Sequence, residues 1–314
     1  MGPDRVAPGP RAGQVRGQGR VMTEMETETW APGVPLERTL LARGLEFGGL
    51  EWPGRGGTPV VLVHGWLDQA AIWAGMAPAL GRRVFGMDLR GHGRSAHSAS
   101  GDSLHFLEYL ADLDAVLDVL EEHWGPGPVD LVGHSLGGSV VSIYAGIRPE
   151  RIRRLVLLDG LGLSDNLDGS VERLVQYLDG VKAPLVSRVL PSFEAAVERL
   201  RERLEGLDEP AIQLYVRRHV RSGPEGLSWS FDERLRRRFG APYRQDAHLL
   251  VLARITAPTL LLVPEHTLFH PAEIDRLAAA IPDHRREDLP GLGHALHVQA
   301  AGEVARRICR FLDG

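Results

Sequence analysis

Two textures alternate along most of this chain. Short apolar runs closed by glycine read as buried strands: TPVVLVHGW at 58–66, RRVFGMDLRG at 82–91, PVDLVGH at 128–134 and IRRLVLLDG at 152–160. Between them lie stretches with helical spacing. From Ser103, apolar residues at Phe106, Leu110, Leu113, Leu117, Leu120 and Trp124 predict an amphipathic helix ended by Gly125–Pro126. LGGSVVSIYAGI at 136–147 predicts another. RTLLARGLEFGGLEW at 38–52 reads as a β-hairpin with its turn near Gly48–Gly49.

Strands alternating with helices predict a mostly parallel sheet with right-handed crossovers. The alternation breaks over 161–252, where charged helical patterns such as VERLRERLEGL carry no convincing buried strand. It resumes with APTLLLVP, a helix around 272–280, a short strand near 285–289 and a closing helix over 301–313. The expected organisation is an α/β core over 34–160 and 253–314, interrupted by a helical cap at 161–252. Residues 1–33, rich in Gly, Pro and Arg at their start, are expected to be a disordered leader. Met22 and Met25 raise a second reading of that leader: translation begins there, and residues 1–21 are foreign to the native protein.

One turn stands out chemically. Gly133-His134-Ser135-Leu136-Gly137 places a G-x-S-x-G sequence between a strand and a helix. A tight turn there exposes the serine hydroxyl at the carboxyl end of the sheet, where the helix N-terminus aims its free N–H groups. The plainer reading is a glycine-rich turn whose serine only caps. A serine hydroxyl needs a base, and that base needs an orienting acid. GLGHALH at 291–297 offers His294 as the base, with His297 one helical turn on as a packing residue or a reversed assignment. An oxyanion hole is expected from the backbone N–H groups of Leu136 and Trp66. His64 is expected to shape the Trp66 loop by hydrogen bonding.

The motifs HGW, DLRGHGRS, GHSLGG, LLDG and GLGHALH, in this order, resemble the α/β-hydrolase fold over about residues 38–314. More narrowly, HGWLDQAAIW, FDERLRRRFGAPYRQD and ITAPTLLL resemble the serine hydrolase-like family. The resemblance implies a hydrolase of carbonyl substrates with a helical cap. It also implies that Asp88, Arg90 and His92 form a structural rim. Members of the family place the triad acid in a G-E-x-D-x-x-x-P stretch, where this chain reads PEHTLFHP at 264–271, with Thr267 in the acid position. Asp159, ending LVLLD, is the candidate replacement, an arrangement also found in haloalkane dehalogenases of the same fold. Glu265 is the alternative acid.

A serine nucleophile favours acyl transfer on a small-molecule acyl substrate, an ester first. Two other readings remain: a serine-dependent C–C bond hydrolase, and an impaired hydrolase fold that only binds, which Thr267 keeps open. The basic stretches Arg217–Arg218–His219 with Arg221, and Arg234 with Arg236–Arg238, read either as an anion site or as a solvated cap surface. Trp229, Phe231 and Tyr243 either line a pocket or pack the cap, and Trp66 and Trp73 are expected mainly to pack.

Composition changes the picture little. Apolar residues make up 43% and charged ones 25%, with a net charge of −5, so nucleic acid is not an expected partner. No apolar run approaches a membrane span. The single Cys309 fits a reducing, cytoplasmic setting. No ligand-spaced His, Cys or carboxylate cluster and no nucleotide-binding glycine loop occurs, so no metal or cofactor is expected. The oligomeric state is left open.

Overall fold

The structure is a computed structural model describing residues 22–24, 33–54, 56–97, 105–162, 169–237 and 244–314. In chain order the first elements are β1 (Met22–Glu24), β2 (Leu36–Ala42), β3 (Leu45–Trp52), β4 (Val60–Val63), β5 (Val84–Met87) and α1 (Phe106–Trp124). Next come β6 (Val129–His134), α2 (Leu136–Ile147) and β7 (Ile152–Leu158). The interruption holds α3 (Ser170–Lys182), α4 (Phe193–Arg201), α5 (Glu209–His219), β8 (Val220–Gly223), β9 (Gly226–Trp229) and α6 (Gln245–Leu252). The chain closes with β10 (Thr259–His266), α7 (Pro271–Ala278), β11 (His284–Gly293), α8 (Leu296–Gln299) and α9 (Ala301–Asp313).

Among the described residues, nine strands form one sheet in the order β1-β2-β3-β5-β4-β6-β7-β10-β11, antiparallel at the β1–β2–β3–β5 edge and parallel beyond it. Strict alternation explains why the central strands read as unbroken apolar runs. Val60, Leu62, Val132, Val156, Leu158, Leu260 and Leu262 enter the core on one face. Val61, Val63, Leu131, Leu155, Leu157, Leu261 and Val263 enter the core on the other, beneath α1, α2, α6 and α7. Both faces are covered, so these strands are mostly apolar, and a polar residue among them such as Asp130 is buried only with a partner, here Arg153. From β4 the chain steps to β5 on one side and then to β6 on the other. The crevice at such a reversal, beyond the carboxyl ends of the strands, is where α/β sheets bind ligands.

The hairpin turn differs from expectation. It lies at Arg43 and Gly44, both with positive φ (54° and 72°), and not at Gly48–Gly49. Gly49 sits inside β3, and a Cβ there would lie 2.3 Å from the Phe85 ring on β5. The glycine pair permits close strand packing, which in sequence looks the same as a turn. Of the expected leader, Met22–Glu24 pairs with β2, Met22 lying opposite Leu40. Residues 1–21 and 25–32, and the predicted helix start at Ser103, lie outside the described residues. The first described turn of that helix begins at Phe106.

Between β7 and β10, besides the helices, β8 and β9 form a two-stranded antiparallel hairpin, mostly exposed apart from its Val220–Trp229 end. This segment joins the core through apolar residues such as Tyr215, Val216 and Trp229, and also through a buried polar contact. The Arg218 side chain from α5, 1% exposed, forms an ion pair at 2.6 Å with Asp88, which is 0% exposed. Asp88 also accepts from the Ala70 and Arg94 N–H groups. Burial opposes its charge, but Arg218 and these donors hold its carboxyl below the usual range. Removing one partner of such a pair strands the other charge in a dry interior. Arg218→Met is therefore expected to lower unfolding free energy by about 3 kcal/mol, read as a reduced urea midpoint at unchanged slope.

Candidate active site

Ser135 joins β6 to α2 with φ 53° and ψ −118°, a backbone that a non-glycine residue holds only under constraint. The neighbouring glycines make this possible by close approach. A Cβ at Gly137 would lie 2.1 Å from the Val63 carbonyl oxygen, and one at Gly133 would lie 2.5 Å from that of Gly137. The Ser135 N–H donates to Leu158 O at 3.1 Å, tying the turn to the end of β7. Leu136 opens α2, where first-turn N–H groups have no intrahelical acceptor.

Asp159 follows β7, also at positive φ (41°), and its N–H donates to Leu262 O at 3.1 Å. Its side chain is 1% exposed. One carboxylate oxygen, Oδ2, lies 2.6 Å from Nδ1 of His294, the residue after β11. The other, Oδ1, accepts from the Thr267 hydroxyl at 2.6 Å. Asp159 and His294 are thus brought together, with Ser135 hydrogen-bonded to the residue before Asp159. No hydrogen bond joins the Ser135 hydroxyl to His294 in this structure. Bonds of that kind often tighten only once substrate is bound. Glu265 is exposed, and its Oε2 accepts from the Gly291 N–H at 2.7 Å, bracing the β10–β11 end of the sheet.

Two further imidazoles lie beneath His294. His134 Nε2–H donates to the His294 carbonyl oxygen at 2.9 Å. Burial, reinforced by the nearby His294, pushes the His134 pKa down to about 4. With its Nδ1 unbonded, this ring is a neutral brace. His297, on α8, is buried against His134 and Trp73, at ring separations of 4.2 and 4.7 Å. Burial holds it well below the ordinary range, and neither ring nitrogen has a partner. It packs the underside of the site.

The Trp66 loop is built by two more neutral imidazoles. His64 accepts the Leu89 N–H on Nε2 at 3.0 Å, leaving Nδ1–H to donate to Gly65 O at 2.7 Å. His92 accepts the Leu67 N–H on Nε2 at 3.2 Å and donates from Nδ1 to Arg90 O. Burial takes the His92 pKa down to about 3, so the loop keeps this acceptor at neutral pH. Leu67 itself has φ 55°, a turn that the His92 bond helps to hold. Trp66 is half exposed, and its indole N–H donates to Leu235 O at 3.1 Å, linking this loop to the segment between β7 and β10.

The basic stretches are partly absorbed by structure, with Arg218 buried but the Arg217 and Arg221 side chains exposed. Arg234 pairs with Asp232, Arg236 lies over the Phe231 ring and near Glu233, and Arg94 donates to Arg217 O. Trp229 and Phe231 are buried against His219 and belong to the same apolar cluster as Val60 and Leu62 of the sheet. Trp73 is fully buried. Arg238 and Tyr243 lie outside the described residues. Among the described residues, no cluster of three metal-ligating side chains occurs, and no helix is long and apolar enough to cross a membrane.

The sequence reading missed the Thr267 hydroxyl as a partner of Asp159 and His134 as a support of His294. Neither has a local signal, because each pair is more than a hundred residues apart along the chain.

A strained serine turn at the switch point of such a sheet, followed by an Asp–His pair, defines a class: the sequence pattern of the alpha/beta hydrolase fold matches residues 58–301, and the chain belongs to that family. Within it the chain is similar to a serine hydrolase-like protein of Danio rerio, 27% identical over 85% of each chain. It is also similar to a pimeloyl-[acyl-carrier protein] methyl ester esterase of Chromobacterium violaceum, 27% identical over 82% of this chain and 95% of that one. A hypothetical protein from Pseudomonas aeruginosa PAO1 has the same fold, with a TM-score of 0.75 and 32% identity over 88% of this chain and 99% of its own.

Proposed function

We propose that the chain is a serine hydrolase acting on a carboxylic ester or related acyl substrate through an acyl-enzyme on Ser135, under a cap spanning 161–252. The carrying observation is the 2.6 Å contact between Asp159 Oδ2 and His294 Nδ1 beside the Ser135 turn. A carboxylate at Nδ1 fixes the tautomer whose Nε2 is a free acceptor. Ser135 Oγ attacks the acyl carbon while His294 Nε2 takes its proton. The imidazolium, stabilised by Asp159, then returns that proton to the departing oxygen. Water, deprotonated by the same nitrogen, attacks the acyl-enzyme, and the proton passes back to Ser135 as the acid leaves.

The backbone N–H groups of Leu136 and Trp66 are the proposed oxyanion donors. This reading is supported by the position of Leu136 at a helix N-terminus and by the hydrogen-bonded frame of His64 and His92 around the Trp66 loop. The esterase among the relatives supports ester chemistry as the first choice. Asp159 is preferred to Glu265 because the Glu265 carboxylate is engaged by Gly291.

A fluorophosphonate probe tests the proposal. The wild-type protein is expected to label at Ser135, with labelling abolished in Ser135→Ala and hydrolysis detectable on p-nitrophenyl esters of some chain length. An unlabelled, correctly folded wild-type protein would sink the acyl-enzyme reading.

A further inference from the structure

We propose that Thr267 is a positioning residue that holds the Asp159 carboxylate in register with His294; this rests on the assignment of Asp159 to the proton-relaying line. Thr267 lies just beyond β10, and Asp159 just beyond β7. These strands are parallel neighbours, with Leu262 beside Leu158, so their ends deliver both side chains to one place. The two carboxylate oxygens are divided between two donors: His294 Nδ1 takes Oδ2 and the Thr267 hydroxyl takes Oδ1, each at 2.6 Å.

The hydroxyl has a fixed role. Its single proton goes to Asp159, since an ionised carboxylate only accepts. Its oxygen in turn accepts the Phe269 N–H at 3.1 Å, which anchors it to the backbone of the same loop. The Asp159 side chain is almost wholly buried, so water has little access to replace a lost donor. Without the hydroxyl, Oδ1 is left with unsatisfied charge, and the carboxylate is free to rotate away from His294. Threonine achieves this without a second negative charge beside Asp159. A carboxylate at 267 would set like charges side by side and would lack the proton that the hydroxyl donates to Asp159 Oδ1.

The test measures kcat and KM on p-nitrophenyl butyrate together with the rate of fluorophosphonate labelling. It uses Thr267→Val, Thr267→Ser, Asp159→Asn and the double variant Asp159→Asn/Thr267→Val. Thr267→Val is expected to lower kcat and the labelling rate about 10- to 100-fold, the range for a hydrogen bond to a charged group, with KM nearly unchanged. Thr267→Ser, which keeps the hydroxyl, should recover to within about threefold of wild type. In the Asp159→Asn background, the valine substitution should have almost no further effect, because a residue that acts through Asp159 has nothing left to act on. Wild-type kcat in Thr267→Val, failure of serine to rescue, or an equal loss in the Asp159→Asn background overturns the positioning role and leaves the Ser135, His294 and Asp159 assignment standing. Wild-type kcat in Asp159→Asn overturns both.

Discussion

Asp159→Asn is expected to lower kcat by about 10⁴ while leaving the fold intact. The carboxamide keeps the shape of the carboxylate but presents no charge, and its NH₂ can donate to His294 Nδ1. The imidazole then turns over to the tautomer that carries its proton on Nε2, where it cannot accept one from Ser135. The 2.6 Å bond between Asp159 and His294 makes this the sensitive point, since Oδ2 has His294 as its partner. Glu265→Gln is expected to change kcat by less than about tenfold, because Glu265 braces Gly291 at the exposed end of the sheet. Steady-state kinetics on one p-nitrophenyl ester compares the two variants directly. A large loss in Glu265→Gln with near-normal turnover in Asp159→Asn would reverse the assignment.

The second large effect is on stability. Burial depresses the pKa of His92 to about 3 and of His134, His219 and His248 to about 4. These rings are neutral in the folded protein, whereas in the unfolded chain they take up protons below about pH 6.5. Between those limits the unfolded state binds more protons, so stability is complete above pH 6.5 and falls as the solution is acidified. Each ring contributes about 1.4 kcal/mol per pH unit at most, so lowering pH from 6 to 5 is expected to cost about 5 kcal/mol in total for the four. That is a large share of the 5–15 kcal/mol typical of a domain. His64 and His297, also shifted down by burial, act in the same direction. Asp68 and Asp88 are held low, and their contribution is lost only below the ordinary carboxylate range. Urea midpoints at pH 7, 6 and 5 would check this, and a midpoint independent of pH over that interval would contradict it.

Much of the frame was legible in the order of residues. The buried strands announced themselves as apolar runs because both faces of a parallel strand are covered. The boundaries of α2 at 136–147 and of α9 at 301–313 coincide with those read from spacing and glycine punctuation. The serine turn was legible for the same reason: glycines on both sides of a small polar residue, between a strand and a helix, satisfy a steric demand that acts over five residues.

Other features were not legible. Gly48–Gly49 suggested a turn but serves the approach of the Phe85 ring, contributed by a strand more than thirty residues away. The β8–β9 hairpin was hidden because its strands are short and mostly exposed, and so carry little apolar periodicity. Arg218 belonged to a stretch that read as cap surface, yet it is among the most buried side chains, neutralised by Asp88.

The chain by itself determined the order of strands and helices, the strained serine turn and the histidine after the last strand, since each depends on neighbours a few positions away. Tertiary structure alone decided which carboxylate meets His294 and which hydroxyl holds that carboxylate. Asp159, Thr267 and His294 follow three adjacent strands, β7, β10 and β11, and only the register of those strands brings their side chains within hydrogen-bonding distance.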